Sequence, residues 1–285
     1  MGFMDRSVCM TNQPDLDTFA DKMTPAVERA AQIALSLEGR VVNTPKVEES
    51  TAVKQALTEA DTRVQEEILE ALYEHFPDVC LAAEEETPRV EDFQSGGDSL
   101  VIIDPIDGTL QSYLQKMGPY AVIVGLAVRR EVRAALIALP REGFLFRGSR
   151  EKGAEVLARG QEFRASAASS DGDGIYVSHN VPPEMRTALE AEGFRVVPAC
   201  GGAVAVAPLV PGIRAGLRLA ERRSQSGVSI RGRAGLAIAH EAGAVIRGER
   251  GEAFAADLDT PHWTLCVTAD EDDQAILQRI SRIQT

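Results

Sequence analysis

The sequence predicts a mixed fold in which helices and β-sheets are stacked in layers. Three observations lead to this prediction. Segments with helical and with strand-like periodicity alternate along the 285 residues. In the first half, several apolar strand candidates follow one another across short turns, which favours antiparallel pairing. In the second half, strands and helices alternate, and neither an all-α nor an all-β fold has that pattern.

Two amphipathic helices are expected before the first strands. Apolar residues recur at helical spacing over residues 15–37. A second such pattern starts at Val64 and ends at Phe76, because Pro77 follows and proline cannot continue a helix. The stretch between the two patterns, residues 41–61, is polar and irregular and is expected to begin as a loop.

Strand candidates dominate the rest of the first half. In chain order they read CLAA, SLVIID, YAVIVGLAV, VRAALIAL and GFLFR. A segment rich in Ser, Ala, Gly and Asp, RASAASSDGDG, follows them and is interpreted as a boundary. We therefore predict a flexible N-terminus over 1–14, an α+β half over 15–165 and an α/β half over 166–285.

The second half alternates strands with helices. Strands are expected at IYVSH, FRVVPA and WTLCVT, where Trp263 is expected to be a core residue. Helices are expected at PPEMRTALEAEG, at GGAVAVAPLV and at RAGLAIAHEAGA, which Gly243 closes. Spaced isoleucines and a leucine over 276–283 predict a last helix.

Composition and charge exclude several classes of protein. The formal net charge is −13, so a nucleic acid polymer is not an expected partner, because binding its backbone needs a basic face. Neither a membrane span nor a signal peptide is expected, since no sufficiently long apolar run is present. The four cysteines are widely spread, which disfavours a disulfide framework or a zinc site and favours a reducing, cytoplasmic location.

The most specific motif is DPIDGT, which begins at Asp104. Asp104 follows the apolar segment SLVII and is expected at the end of a strand, while Pro105 and Gly108 permit a tight bend. Asp104 and Asp107 can then point to one spot, with the carbonyl of Ile106 between them. Carboxylate and carbonyl oxygens are hard ligands that suit Mg2+. A turn with two solvated aspartates is the alternative.

Other polar residues are candidates for the same site. The hydroxyl of Thr109 and the amides of Gly108 and Thr109 are candidates for holding a phosphate or a water. Glu84 lies in the run AEEE after the CLAA strand, where an exposed acidic edge is the alternative. Asp61 lies at the start of the second helix, where it can equally cap the helix or complement its dipole.

Taken together, these motifs resemble those of the inositol monophosphatase family of Mg2+-dependent, lithium-sensitive phosphatases. The family pattern has T-E-A-D, then G-E-E, then D-P-[IL]-D-G-T. Here the segments read TEAD at 58–61, AEE at 83–85 and DPIDGT at 104–109. The segments GPYAVIVGLAV, EKGAEVLARGQEF and AGLAIAHEAGAVI are similar to later family segments, so the resemblance extends over roughly residues 15–280.

The resemblance implies a fold and a reaction. The implied fold is a layered αβαβα sandwich of mixed α+β and α/β type, as in inositol monophosphatases and fructose-1,6-bisphosphatases, usually in a homodimer. The implied reaction is Mg2+-dependent hydrolysis of a small phosphorylated metabolite, with water attacking in line. No side chain decides among inositol phosphates, sugar phosphates and 3′-phosphonucleotides.

Residue roles are implied only where the residues match. Asp61 and Thr109 would position and deprotonate the attacking water. Glu85 would lie beside the metals or the substrate, and Gly108 would contact the phosphate. The implied metal ligands, carried by the first half of the chain, are Glu84, Asp104, Asp107 and the carbonyl of Ile106.

The sequence departs from the family pattern at three places. One is the segment after DPIDGT, which reads Leu110-Gln111-Ser112-Tyr113 where the family commonly has T-N-F. The late motif W-D-x-A-A-G reads IRGRAG here, which puts Arg231 where the family has the aspartate of the second metal site. A guanidinium cannot be a metal ligand, and reversing a charge beside a divalent cation changes the energy by on the order of several kcal/mol. The G-[ST]-A turn reads Gly201-Gly202-Ala203, which keeps the amides for substrate contacts and loses the hydroxyl.

Three interpretations of Arg231 remain open. It can replace one cation as the clamp on a phosphate or carboxylate of the substrate. The chain can instead have lost hydrolysis and bind a metal or phosphate ester without turnover. Arg231 can also point to solvent, with another acid such as Glu221 as the ligand.

We favour the interpretation that the chain is an active enzyme, because the implied catalytic and metal-binding acids and Thr109 occur together. If Arg231 faces the cleft, we expect it to pair with Asp107 or a bound anion. His179 follows a strand and is expected at an end where substrate contacts fall.

Overall fold

The computed structural model describes residues 14–44, 46, 57–94, 97–167, 172–220, 227–248, 250–255 and 257–283. Within these residues, five layers alternate as helices, sheet, helices, sheet and helices. The predicted αβαβα sandwich is therefore confirmed. Of the N-terminal segment predicted to be flexible, only Pro14 lies within the described residues.

The first layer holds the two helices predicted before the strands. Helix α1 spans Leu16–Leu37 and begins at the N-cap Asp15, whose carboxylate accepts a hydrogen bond from an amide of the first turn. Helix α2 spans Glu59–His75 and begins with a capping box formed by Thr58 and Asp61. No helix in the described part of the chain combines the length and apolarity needed to cross a membrane.

Within the described part of the chain, sheet 1 has seven strands in sequential order. Strands β1 and β2 pair in parallel, and each strand from β2 to β7 pairs antiparallel with the next. The predicted antiparallel pairing of YAVIVGLAV, VRAALIAL and GFLFR is confirmed. The strands are β1 (Cys80–Ala82), β2 (Ser99–Asp107), β3 (Ala121–Val128), β4 (Glu131–Leu139), β5 (Phe144–Ser149), β6 (Gly153–Ala158) and β7 (Gln161–Arg164).

Sheet 2 has five strands in the order β11-β12-β10-β8-β9. Strands β9, β8 and β10 run parallel, while β12 is antiparallel to both β10 and β11. Because β8 and β10 are parallel, residues that follow them meet at one edge of the sheet. The strands are β8 (Gly174–Ser178), β9 (Arg195–Ala199), β10 (Ile213–Leu219), β11 (Val245–Arg247) and β12 (Thr264–Thr268).

Four further helices of the described residues complete the layers. Successive residues of each strand point to opposite faces of sheet 1, so they belong to two different parts of the core. Ile103 and Val124 of sheet 1 face α1 and α2, whereas Ile102 and Ile123 face the middle layer. The middle layer contains α4 (Gly201–Ala205) and α5 (Ile230–Glu241), and the outer face of sheet 2 packs against α3 (Pro183–Ala191) and α6 (Glu271–Ser281).

The second half differs from the sequence predictions in several places. Strands β10 and β11 were not predicted. The helix predicted over GGAVAVAPLV is α-helical only over Gly201–Ala205 and continues as a short 3-10 turn that contains Pro208, which lacks the amide hydrogen a helix needs. Trp263 precedes β12 rather than lying in it, and 36% of it is exposed, so its predicted core position is wrong. The division of the chain at 165 stays a prediction.

Candidate active site

A β-bulge in β2 places the two aspartates of the DPIDGT motif on one side of sheet 1. Asp104 pairs with Ile123 and Asp107 pairs with Ala121, so β2 has one residue more than β3 over this interval. On a regular strand, residues three apart would face opposite sides. The extra residue cancels that reversal, and both carboxylates face the helices between the sheets.

Gly108 turns the chain directly after the bulge. Its φ of +92° lies in the left-handed region, and a Cβ at this position would come within 2.8 Å of the Cys200 Cβ. The next residues, Thr109–Leu114, form a π-helical turn, a rare element that occurs frequently at functional sites. This turn directs the hydroxyl of Thr109 back toward Asp61 of α2.

Asp104 is buried beside two other acids. Only 6% of it is exposed, and its Oδ1 has no hydrogen-bond partner. Burial raises the pKa of Asp104 well above its usual range, and the carboxylates of Glu84 and Asp107 raise it further, while the charge of Arg231 acts in the opposite direction. An acid in this position requires either a proton or a nearby cation.

Arg231 lies in the cleft and connects the residue after β1 with the middle of β2. Its Nη2 donates a hydrogen bond of 3.0 Å to the carbonyl oxygen of Ala83, and its Nε donates one of 3.2 Å to that of Ile103. These two carbonyls directly precede two acids of the cluster. The same Nε lies 3.8 Å from Oε2 of Glu84. Arg231 therefore fixes the backbone around the acids and supplies a positive charge to them.

These contacts correct two expectations for Arg231. Its side chain does not point to solvent, and its ionic partner is Glu84 rather than Asp107. Asp107 instead accepts a hydrogen bond of 2.5 Å from the amide of Gly202, so a backbone donor already satisfies one of its oxygens. Glu221, the alternative acidic ligand, lies outside the described residues.

Asp61 and Thr109 form a second polar pair. The Thr109 hydroxyl lies 3.0 Å from Oδ1 of Asp61 and 2.9 Å from the carbonyl oxygen of Ile106, so its single hydrogen is donated to one of them at a time. The Oδ2 of Asp61 accepts hydrogen bonds from the amide and hydroxyl of Thr58. Burial raises the pKa of Asp61 to about 6, which suits a proton acceptor near neutral pH.

Glu85 is bound to a different part of the chain. Only 5% of it is exposed, and its Oε1 lies 2.7 Å from Nζ of Lys46. The side-chain amide of Gln65 holds the backbone of Glu85 at both its amide and its carbonyl. Burial raises the pKa of Glu85 to about 7, and Lys46 lowers it. The carboxylate is paired with a lysine here, and its contact with metals or substrate stays a prediction.

The Gly201-Gly202-Ala203 turn begins α4 beside the acid cluster. All three residues are buried, and a Cβ on Gly202 would lie 2.9 Å from the Cβ of Ala121. Glycine therefore allows α4 to approach sheet 1 closely enough for the Gly202 amide to reach Asp107. Contact between this turn and a substrate stays a prediction.

His179 lies close to the same cluster. Its Nε2 is 3.0 Å from Oγ of Ser112 in the π-helical turn, and its Nδ1 is buried without a hydrogen-bond partner. Burial lowers the pKa of His179, while Asp107 raises it, so the neutral imidazole predominates at pH 7.

The site agrees with a match to a known family. The sequence pattern that defines the inositol monophosphatase family matches residues 15–203, about two thirds of the chain.

The chain belongs to the inositol monophosphatase family.

The match ends at Ala203, before Arg231. The late segment, where the sequence departs from the family pattern, is therefore outside the matched residues.

Curated relatives match over part of their length. Inositol monophosphatase 2 of Homo sapiens is 30% identical over 141 residues, which are 50% of this chain and 48% of that protein. Histidinol-phosphatase of Chlorobaculum parvum is 32% identical over 121 residues, which are 42% of this chain and 44% of that protein. The chain spans about half the length of the curated relatives it matches.

Solved structures of the family share the fold over nearly the whole chain. An IMPase of Thermotoga maritima superimposes with a TM-score of 0.69 at 18% identity, covering 93% of this chain and 98% of that one. The extragenic suppressor protein suhB of Bartonella henselae gives 0.70 at 17% identity, covering 94% and 100%. At this level of identity, the likeness establishes the fold alone.

The donor atoms of this family member suit a divalent cation, although they are not gathered around one point. Glu84, Asp104 and Asp107 offer carboxylates, and the Ile106 carbonyl keeps a second lone pair. The unpartnered Oδ1 of Asp104 is an oxygen that a cation would satisfy. Within the described ranges, no three acidic, histidine or cysteine side chains form a ready-made metal cluster. The Nε of Arg231 lies 3.8 Å from a carboxylate oxygen of Glu84, and a backbone amide donates a hydrogen bond to Asp107.

Three residues near the site were not predicted from the sequence. Lys46 follows an unremarkable polar stretch, and Ser112 has no motif of its own. Arg218 lies on β10, whose sequence IRAGLRL alternates apolar and other residues. That alternation would have predicted a strand and placed Arg218 on the face opposite Leu217.

Proposed function

We propose that this protein hydrolyses a small phosphomonoester with the help of Mg2+. The observation that carries the proposal is the unpartnered Oδ1 of the buried Asp104, between Glu84 and Asp107. Carboxylates that face the same cleft beside a backbone carbonyl are oxygen donors of the kind Mg2+ prefers. The names of the relatives, which include an inositol monophosphatase and a histidinol-phosphatase, support this reaction class.

The proposed catalytic residues have two roles: some bind the metal, and others position the attacking water. When bound by Glu84, Asp104, Asp107 and the Ile106 carbonyl, Mg2+ would neutralise charge on the phosphate during attack. The oxygen of Thr109 would accept a hydrogen bond from the attacking water while its hydrogen is donated to Asp61. The water oxygen forms the new bond to phosphorus as the ester P–O bond breaks. The leaving oxygen takes a proton from solvent and departs as the alcohol, while one proton of the attacking water passes to Thr109 as the hydroxyl proton of Thr109 passes to Asp61.

Substrate contacts are proposed for groups that line the same cleft. Backbone amides at the start of α4 and after the bulge would face phosphate oxygens. Arg231 uses Nε and Nη2 on backbone carbonyls, which leaves Nη1 for an anionic oxygen. The proposed substrate-binding residues are Glu85, Gly108, Thr109, Gly201, Gly202, Ala203 and Arg231.

One observation favours a second candidate, a family member that binds a phosphate ester or a metal without hydrolysis. The guanidinium of Arg231 lies beside Glu84, where it competes with a metal for that carboxylate. If Arg231 prevents the metal from binding, the phosphate would meet a fixed cation that stabilises it but cannot activate water.

A phosphate-release screen decides between the two candidates. The purified chain is incubated with an inositol monophosphate, a sugar phosphate and a 3′-phosphonucleotide, each with Mg2+ and with EDTA. Release that needs Mg2+ supports hydrolysis. Saturable binding of an ester without release supports the second candidate, and release that persists in EDTA contradicts the metal proposal.

We also propose a homodimer in the cytoplasm, without a nucleic acid or membrane partner. The acidic charge of −13 supports the absence of nucleic acid binding. The homodimer rests on the family alone, and light scattering coupled to size-exclusion chromatography tests it.

A further inference from the structure

The guanidinium of Arg218 lies between two glycines from two different helices. Arg218 is near the end of β10, on the side that faces the middle layer. A Cβ on Gly201 of α4 or on Gly232 of α5 would overlap its Nη1. Two positions without side chains therefore make room for one charged group, beside the cleft that contains the acid cluster.

No described residue neutralises this charge. The Nη1 of Arg218 is buried without a hydrogen-bond partner, and none of the ion pairs among the described residues includes Arg218. By contrast, Arg214 on the same strand pairs with Asp273 and stacks over Phe194. A buried guanidinium nitrogen without a partner is unfavourable, because it loses its hydration and gains nothing in return.

The surroundings of Arg218 add positive potential instead of compensating for it. The first turn of α5 adjoins the guanidinium, contains Arg231 and has no acidic residue. The dipole of a helix is positive at that end, so a second cation there is disfavoured. The combination of Arg218, Arg231 and this helix end becomes favourable when an anion joins it.

Arg218 adjoins α4 one residue before the position that contacts the acid cluster. Gly201 contacts Arg218, and the amide of the next residue, Gly202, binds Asp107. Neighbouring Cα atoms are about 3.8 Å apart. A small ester whose phosphate lies at the cluster can therefore place another of its groups at Arg218.

We propose that Arg218 binds a second anionic group of the substrate. The natural substrate is then a small phosphomonoester that carries a further phosphate or a carboxylate. This inference rests on the proposed function for the position of the scissile phosphate. Its chemistry follows from the guanidinium, which binds either kind of oxyanion through paired N–H donors.

The first experiment compares kcat/KM for three esters with one polyol skeleton: the monophosphate, the same compound with a second phosphate, and the same compound with a carboxylate. We expect at least about a tenfold preference for a two-anion ester, and the two arms distinguish phosphate from carboxylate. Arg218→Gln should remove the preference, mainly by raising KM. Arg195→Gln, which removes an exposed charge from the same sheet, is the matched control.

Two kinetic results would overturn the proposal. One is a wild-type protein with no preference for a two-anion ester. The other is an equal loss on all three esters in Arg218→Gln, because the arginine would then contact the scissile phosphate common to them.

A second experiment does not depend on turnover, so it separates failure of this inference from failure of the proposed function. Thermal unfolding is followed in EDTA with and without sulfate. Arg218→Gln should raise the Tm of the free protein by about 2–4 °C, because an unpaired charge is removed. It should also reduce the stabilisation by sulfate, which Arg195→Gln should leave intact. A variant that retains the full sulfate effect would show that Arg218 does not bind anions.

Discussion

The Nε of Arg231 lies 3.8 Å from the Oε2 of Glu84, so a fixed cation already faces one acid of the proposed metal site. Hydrogen bonds to the carbonyls of Ala83 and Ile103 hold the guanidinium in place. A metal ion and Arg231 therefore compete for the same carboxylate, and the strength of this competition can be measured.

Replacing Arg231 by methionine should strengthen Mg2+ binding and weaken the metal-free fold. We expect the Mg2+ affinity to rise by about tenfold, because a competing positive charge is lost. We expect the metal-free protein to lose about 1–3 kcal/mol, because two hydrogen bonds from a charged donor disappear. Calorimetric titration and urea unfolding measure the two effects, and Arg231→Asp should increase Mg2+ affinity further.

Arg130→Met is the control for Arg231→Met, since Arg130 belongs to an exposed ion pair with Asp259. It should change neither quantity appreciably. An unchanged Mg2+ affinity in both Arg231 variants would mean that Arg231 and the metal do not share Glu84.

Asp104→Asn should abolish metal-dependent turnover and, at the same time, stabilise the metal-free protein. The amide keeps the shape of the side chain but cannot ionise beside the carboxylates of Glu84 and Asp107. We expect Mg2+ affinity to fall by at least about a hundredfold and the metal-free Tm to rise. Asp98→Asn, at an exposed position before β2, is the control. Unaltered Mg2+ binding in Asp104→Asn would place the metal elsewhere.

Thr109→Val should lower kcat while leaving KM within a few fold. The substitution removes the hydroxyl that connects Asp61 with the attacking water, so kcat should fall by a factor of about 10²–10⁴. Thr109→Ser retains the hydroxyl and should restore most of the rate. Steady-state kinetics on the best ester of the phosphate-release screen give both constants. If valine leaves kcat unchanged, proton transfer does not pass through Thr109.

The metal-free protein should become less stable as the pH rises from about 4 to about 7. Burial raises the pKa of Asp61 to about 6 and that of Glu85 to about 7, and it also raises the pKa of Asp104. These three carboxyls therefore hold more protons in the folded chain than in the unfolded chain in this window, and the stability they contribute falls as these protons are lost. The lowered pKa values of His179 and His262 act in the opposite direction, on two groups rather than three. Mg2+ should reduce the decline, because it replaces the lost positive charge. Thermal unfolding in EDTA and in Mg2+ at several pH values tests this, and a metal-free Tm that rises toward pH 7 would contradict it.

The parts of the fold that were predictable are those governed by local pattern. Helices α1 and α2 and strands β2 to β5 have strong periodicity, and their pairing follows from short connections. Strand β10 was missed, although its alternating sequence carried a usable signal. Trp263 was assigned to the core because of its residue type, but its exposure depends on what packs next to it in three dimensions.

In the site, too, the features set by local sequence were predictable and those set by tertiary packing were not. The DPIDGT sequence contains the bulge, the turn and two acids within six residues, so the sequence alone indicates their convergence. The partner of Arg231 was predicted to be Asp107 or a bound anion, whereas Glu84 lies beside it, because which acid faces the guanidinium depends on tertiary packing. Tertiary packing likewise determines the contact between Lys46 and Glu85. It also determines that the buried Nη1 of Arg218 has no hydrogen-bond partner.

The chain order of the site residues determines when each of them is made during synthesis. The acid cluster is drawn from residues 61–107, on α2 and in the first strands of sheet 1, whereas Arg231 lies on α5, in the second half of the chain. At typical translation speeds, Arg231 is made on the order of ten seconds after Asp107. The acids are therefore synthesised before the cation that faces Glu84. Until Arg231 is added, any counter-charge for these acids has to come from elsewhere in the chain or from solution.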